Sequence, residues 1–125
     1  MLARNSGDVE IRVALANALQ NLGTVLDELG RDDRARTEYE ASITELERLV
    51  ADFPAVLTHQ EMVARTRTKL GALLTRVGQP DAARTEFTAA RERQLQLAAK
   101  YPAVPDYEND LARTEYGLAM IASRR

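Results

Sequence analysis

Few side chains in this sequence are of the types that do acid–base, nucleophilic or metal chemistry. Cysteine is absent and His59 is the single histidine, so disulfides, thiolate metal sites and a cysteine nucleophile are excluded. A metal or acid–base site needs several convergent groups, and the pattern supplies no partners for His59. We interpret His59 as a packing residue near a helix start, because the residue 48 positions later is Tyr107. The sequence predicts no catalytic residue, no metal site and no cofactor, and therefore no enzyme.

Carboxylates offer a second kind of chemistry, since Asp32 with Asp33, or Asp106, could bind a cation. Each of them lies at a predicted helix start. A carboxylate there caps free backbone amides and complements the helix dipole. We therefore interpret these residues as helix caps.

Composition and charge limit the class of protein further. The chain of 125 residues fits one domain. Its residues are 45% hydrophobic, 29% charged and only 5% aromatic, a balance that favours amphipathic helices over sheets. The 17 basic and 19 acidic residues are interspersed and give a net charge of -2. Without a basic block, nucleic acid is not an expected partner.

The hydropathy of the sequence indicates the cellular location of the protein. The opening residues, Met1 to Asp8, become polar too early for a signal peptide, and the apolar runs are far shorter than a membrane span. We expect a cytoplasmic protein that does not bind membranes.

An internal repeat with a period of about 48 residues organises the chain. Such a period is typical of stacked arrays of helical units. A third copy starts after Pro105 and stops halfway, which gives about two and a half repeats. The matching segments are Leu22–Gly23 with Leu70–Gly71, Ala35–Tyr39 with Ala83–Phe87, and Phe53–Val56 with Tyr101–Val104.

Apolar residues recur at helical spacing within each copy, so each copy is predicted to be two helices joined by a short turn. Glycine ends the first helix at Gly30 and Gly78, and proline separates the copies. We expect a single domain over 1–125, with repeat 1 at about 8–55, repeat 2 at about 56–103 and a partial repeat or capping helix at 104–125. The predicted helices are roughly 8–29, 32–52, 56–77, 80–100 and 105–123.

The apolar stripe of the first helix is predicted to form its core face. Recurrent glycines at Gly23 and Gly71 predict that a neighbouring helix approaches closely there, because a glycine inside a helix costs about 1 kcal/mol relative to alanine. The stripe consists of Ile11, Leu15, Leu19, Leu22, Leu26 and Leu29.

These residues resemble the tetratricopeptide repeat, a helix pair with Leu-Gly, Ala and an aromatic residue at set offsets. Leu22–Gly23, Ala35 and Tyr39 carry the resemblance in the first copy. The resemblance implies an all-α fold of antiparallel hairpins stacked as a short right-handed solenoid, and a non-catalytic scaffold for protein–protein interaction. The long period and the Phe-Pro-Ala-Val phrase are similar to repeats that follow the kinase domain of some bacterial serine/threonine kinases. The chain itself has no kinase motifs.

A second stripe on the first helix of each pair is expected to line the concave face of such a scaffold. Arginines in this stripe, beside a tyrosine, could hold an acidic or phosphorylated segment of a partner protein. The alternative is a solvated polar face. The stripe residues are Asn17, Gln20, Thr24 and Asp27, then Arg65, Thr68, Ala72 and Thr75, then Arg113, Tyr116 and Met120.

Two other functions stay open from the sequence. The terminal helix lacks its second half, so Leu111, Leu118 and Ile121 could support self-association. The similarity to repeats of bacterial kinases implies that the chain could also be a detached regulatory segment of a larger signalling kinase.

Overall fold

The structure is a computed structural model that describes residues 6–123. The regular secondary structure of this part of the chain is all α-helix, with short turns between the helices and no strand. The predicted all-α class, with five helices, is confirmed. None of the described helices combines the length and the hydropathy needed to cross a membrane. The helices are α1 (Ser6–Glu28), α2 (Asp32–Asp52), α3 (Leu57–Arg76), α4 (Pro80–Lys100) and α5 (Pro105–Ser123).

The predicted helix boundaries agree with the structure to within one or two residues. Glycine explains the agreement at the ends of α1 and α3. Gly30 has φ 77° and Gly78 has φ 83°, a left-handed conformation that glycine adopts readily and that ends a helix. At the end of α1, the amide of Arg31 donates to the carbonyl of Leu26 at 2.8 Å, and the amide of Gly30 donates to the carbonyl of Asp27 at 3.0 Å. This pattern closes a helix through a left-handed glycine.

The predicted cap at Asp32 is wrong. Asp32 is the first residue of α2 itself, and the capping position before it is Arg31, which makes no side-chain cap hydrogen bond. Asp32 and Asp33 lie in the first turn, where their charges complement the helix dipole.

The described residues form two compact units, with the boundary between Gln60 and Glu61 inside α3. In the first unit α1 packs against α2. Ser42 of α2 donates to the carbonyl of Ala16 at 2.8 Å, and both residues are fully buried. A Cβ built on Gly23 would lie 2.7 Å from Cδ1 of Tyr39. The ring therefore rests on the backbone of α1, as the glycine predicted.

The predicted core stripe of α1 is largely wrong. Ile11 is 69% exposed, Leu22 is 40% exposed and Leu29 is 66% exposed, while Leu26 is buried. The inward face of α1 is instead built around Ala16, Gly23 and Leu26. The reason is geometric: α1 is apolar over more of its circumference than one neighbouring helix can cover.

In the second unit α4 packs against α5, and Phe87 of α4 lies between two glycines. A Cβ built on Gly71 of α3 would lie 2.9 Å from Cε1 of this ring. A Cβ on Gly117 of α5 would lie 2.6 Å from Cζ. The predicted close approach at Gly71 is confirmed, and Gly117 supplies a second approach that the repeat alignment does not indicate.

We predict that Gly117→Ala destabilises the protein by about 1–2 kcal/mol. Overpacking costs about 1–3 kcal/mol, and it outweighs the gain of about 1 kcal/mol from replacing glycine inside a helix. Urea unfolding of the variant measures the difference.

The control is the same substitution in a Phe87→Leu background, where the smaller side chain leaves room for the new methyl. There Gly117→Ala should become stabilising. If Gly117→Ala destabilises both backgrounds equally, the contact with Phe87 is not the cause.

His59 near the start of α3 is buried against Phe53, with ring centroids 6.4 Å apart in an edge-on arrangement. Its Nδ1 atom is buried without a hydrogen-bond partner. Burial lowers the pKa of His59, and the charge of nearby Arg12 lowers it further. These contacts agree with a packing residue. Among the described residues, no group of three or more His, Asp or Glu side chains could hold a metal ion.

We predict that stability falls as the pH drops below about 6.5, the ordinary pKa of histidine. The unfolded chain takes up a proton there while folded His59 stays neutral, so protonation favours unfolding. Chemical denaturation measured at a series of pH values from about 7.5 to about 5.5 tests this. Most carboxyl groups titrate below this pH range, so they contribute little to the change in stability.

His59→Tyr provides the comparison, because Tyr107 occupies the same register and makes the same edge-on contact with Tyr101. In this variant the fall in stability over that window should be reduced. An unchanged fall would assign the pH dependence to other groups.

Candidate functional site

A groove in the second unit lies between α3 and α5, with α4 at its base. It contains two adjoining cavities of about 290 Å³ and about 300 Å³. These volumes are at the low end for small-molecule pockets, so each suits the side chains of a bound segment. The first is lined by Arg65, Thr68, Lys69, Gln94, Asp110 and Arg113. The second is lined by Thr68, Ala72, Thr75, Phe87, Arg113, Tyr116, Gly117 and Met120.

The structure brings together every stripe residue that the sequence placed on α3 and α5. Arg65, Thr68, Arg113 and Tyr116 all line this groove. Helical periodicity explains the result, because residues three and four apart share one helix face.

The remaining predicted binding residues belong to α1 in the first unit. Asn17 is exposed and Gln20 is partly exposed. The hydroxyl of Thr24 accepts a hydrogen bond from the Tyr39 hydroxyl at 3.2 Å and donates to the Gln20 carbonyl at 3.1 Å. Thr24 thus contributes to packing within its own hairpin, and binding by these three residues stays a prediction.

A buried carboxylate connects the two groove arginines. Arg65 Nε donates to Asp110 Oδ2 at 2.8 Å, and an Arg113 guanidinium nitrogen donates to Asp110 Oδ1 at 3.4 Å. The Asp110 side chain is 9% exposed, whereas those of Arg65 and Arg113 are 44% and 74% exposed. Asp110 therefore fixes one side of each guanidinium while both keep surface in the groove.

The side chains that line this cavity carry more positive than negative charge. Three cationic residues, Arg65, Lys69 and Arg113, line the cavity with the single carboxylate of Asp110. Burial lowers the pKa of Arg65, but the hydrogen bond and charge of Asp110, together with the charges of Glu61 and Asp106, outweigh it, so the pKa is raised. Arg65 is therefore permanently charged, and the side chains that line the cavity carry a net positive charge, with Glu61 and Asp106 as the nearby carboxylates outside the lining.

Hydrogen-bonded hydroxyl groups hold Thr68 in place beside both cavities. Thr114 donates to Gln94 Oε1 at 2.6 Å. The Thr68 hydroxyl lies 2.9 Å from that of Thr114. This series of hydrogen bonds runs from α3 through α5 to α4. It fixes the position of Thr68, which lines both cavities.

A further hydrogen bond joins α3 to α5 beyond the cavity. Tyr107 donates to Glu61 Oε2 at 2.5 Å. This bond, with burial as a smaller cause, raises the pKa of Tyr107 to about 12. Glu61 is thereby engaged with a neutral phenol.

The second cavity has different chemistry from the first. Ala72, Met120 and the exposed ring of Tyr116 supply apolar surface, with Phe87 beneath them. Arg113 lines both cavities. The groove therefore changes from cationic to apolar along its length.

The sequence did not indicate Asp110, Lys69 or Gln94 as site residues. Asp110 aligns with Met62 and Ala14 of the earlier copies, so the repeat gives no signal for it. Its spacing of three residues from Arg113 was the one available indication of an ion pair.

Neither the models of known protein families, nor characterised proteins, nor solved structures provide a match to this chain. The resemblance to tetratricopeptide repeats accordingly stays a hypothesis that rests on the residues themselves.

We predict that Asp110→Asn lowers the free energy of unfolding by about 1–3 kcal/mol, because hydrogen bonds to charged groups contribute about that much. The amide keeps the shape but loses the charge that attracts both arginines. Thermal or urea unfolding tests this, with Glu115→Gln as the control. Glu115 is exposed and pairs with Arg91 of α4 at 3.2 Å, so its loss should change stability by less than about 1 kcal/mol. Equal effects at the two positions would contradict the role given to Asp110.

Proposed function

We propose that the protein is a tetratricopeptide-like interaction scaffold that binds an acidic, partly apolar segment of another protein in the groove between α3 and α5. The observation that supports this is the junction of a cationic cavity and an apolar cavity along one groove. A solvated polar face would not require an apolar cavity beside the arginines.

Geometry limits the length of the bound segment. Arg65 in the cationic cavity and Ala72 in the apolar cavity are seven residues apart on α3, which is about 10 Å along a helix. An extended peptide covers about 3.3 Å per residue. A carboxylate and an apolar side chain separated by about three residues would therefore reach both cavities.

Partly exposed arginines suit this role. Asp110 holds both guanidinium groups in place before a ligand arrives, which lowers the entropy lost on binding. A ligand carboxylate could then accept hydrogen bonds from the donors that Asp110 leaves free, since a guanidinium has five. Tyr116, 68% exposed, offers a ring to an apolar or cationic neighbour in the peptide.

The test is fluorescence anisotropy with a panel of short labelled peptides. Each carries a Glu pair and a Leu or Phe, with their spacing and order varied, and parallel peptides carry phosphoserine in place of Glu. We expect binding that is strongest at a spacing of about three residues and that weakens with added salt. A panel in which no peptide binds would overturn the proposal.

Arg113→Gln should weaken binding of the best peptide by about tenfold or more, because a charge-assisted hydrogen bond contributes about 1.5–3 kcal/mol. Arg48→Gln is a matched control. Arg48 pairs with Glu45 three residues earlier at 3.3 Å, as Arg113 pairs with Asp110 at 3.4 Å, and is similarly exposed. Both variants lose one positive charge and one ion pair. Equal loss of affinity in the two would mean that the groove is not the binding site.

A further inference from the structure

An apolar stripe lies exposed along α1 from Ile11 to Leu29, the residue that directly follows the helix. Its members follow the spacing 4-3-4-3-4, which is the a and d pattern of helices that pair in a coiled coil. From first to last the stripe extends about 27 Å along the helix and contains no charged residue. It consists of Ile11, Leu15, Ala18, Leu22, Val25 and Leu29, and all six are exposed.

The equivalent positions in the other two copies are mostly buried, so this register is a packing surface elsewhere in the chain. In the second unit α4 covers part of it on α5, where Thr114 donates to Gln94. The buried members are His59, Val63, Thr66, Leu70 and Leu73 in the second copy, and Tyr107, Thr114 and Ile121 in the third.

We propose that the stripe on α1 pairs with the same stripe of a second copy of this chain, in an antiparallel arrangement about a two-fold axis. Closed two-fold dimers use one self-complementary surface. The stripe has this property, because its spacing reads the same in both directions. In the antiparallel pair the layers are Ile11 with Leu29, Leu15 with Val25, and Ala18 with Leu22, each formed twice.

Side-chain size favours the antiparallel direction. The smallest member, Ala18, then lies opposite Leu22 of the second copy, so small meets large at the centre. A parallel pair would place Ala18 opposite Ala18 and leave a gap, which costs packing contacts.

Charge is compatible with the same pairing. On the exposed flank, the antiparallel register places Asn21 beside Asn21 at the axis and Glu28 beside Ala14 of the second copy. On the other flank, Arg12 is paired within its own unit with Asp52 at 3.0 Å. No like charges face each other across this dimer.

The terminal helix offers a smaller surface for self-association than the sequence suggested. Ile121 of α5 is buried, and Leu111 and Leu118 are only partly exposed. The larger continuous apolar surface is on α1, at the other end of the described chain.

Analytical ultracentrifugation of the whole chain tests the dimer. The wild type should show a concentration-dependent monomer–dimer equilibrium, and Leu22→Glu should weaken it by more than about tenfold. Leu95→Glu is the matched control, because Leu95 on α4 is 38% exposed and Leu22 is 40% exposed. The control should dimerise like the wild type. A wild type that stays monomeric, or equal weakening by both variants, would overturn the proposal.

Engineered cysteines test the direction, and the chain has none of its own. Under mild oxidation, a mixture of the Ile11→Cys and Leu29→Cys proteins should form an intermolecular disulfide, while each protein alone should not. Disulfide formation by Ile11→Cys alone would indicate a parallel pair and overturn the antiparallel arrangement. Circular dichroism melting of every variant verifies that it is folded. A dimer in which the mixture forms no disulfide would place the interface elsewhere.

Discussion

The ring of Phe87 sets how closely the three helices of the second unit approach one another. It lies against the backbone of α3 at Gly71 and that of α5 at Gly117, and neither helix could carry a side chain at these points without moving. The width of the groove follows from this contact, because Phe87 lies at the base of the apolar cavity. Close-packed protein interiors transmit small displacements, so the position of Arg113, which lines the same cavity, depends on this ring.

The first hairpin also packs an aromatic ring against a glycine, but its ring carries a hydroxyl group. Tyr39 occupies the register of Phe87 and rests on Gly23, but its hydroxyl donates to Thr24. The second copy has Ala72 where the first has Thr24, and Thr75 where the first has Asp27, whose carboxylate lies 3.5 Å from the Tyr39 hydroxyl. A phenol in place of Phe87 would therefore lose the Thr24 acceptor, and a buried phenol with fewer hydrogen-bond partners is costly. Phe87 and Ala72 therefore match each other in the second copy, because neither needs a hydrogen-bond partner from the other. Both residues leave the adjoining cavity apolar.

The sequence predicted the helices well because their signals are local. Gly30 and Gly78 end helices through their own backbone conformation, and proline marks the start of α4 and α5. The groove residues on α3 and α5 were predicted because one helix face follows from spacing alone. Asp110 could not be found in this way, since its role depends on Arg65, 45 residues earlier, and on burial that no local pattern encodes.

The core face of α1 was mispredicted for a related reason. One register of the repeat carries Ile11, His59 and Tyr107, and periodicity assigns all three to the same face. Whether that face is covered depends on which helices surround it, and this differs between the copies.

The residues at this register nevertheless differ in kind. Where it is buried, its two threonines have particular partners, since Thr114 donates to Gln94 and Thr66 donates to the carbonyl of Met62. Where it is exposed, on α1, it holds only aliphatic side chains. Burial of polar groups requires fixed partners, whereas an aliphatic stripe requires only a complementary shape. The composition of α1 therefore fits a surface that is covered by association with another helix, without specific hydrogen bonds across the interface.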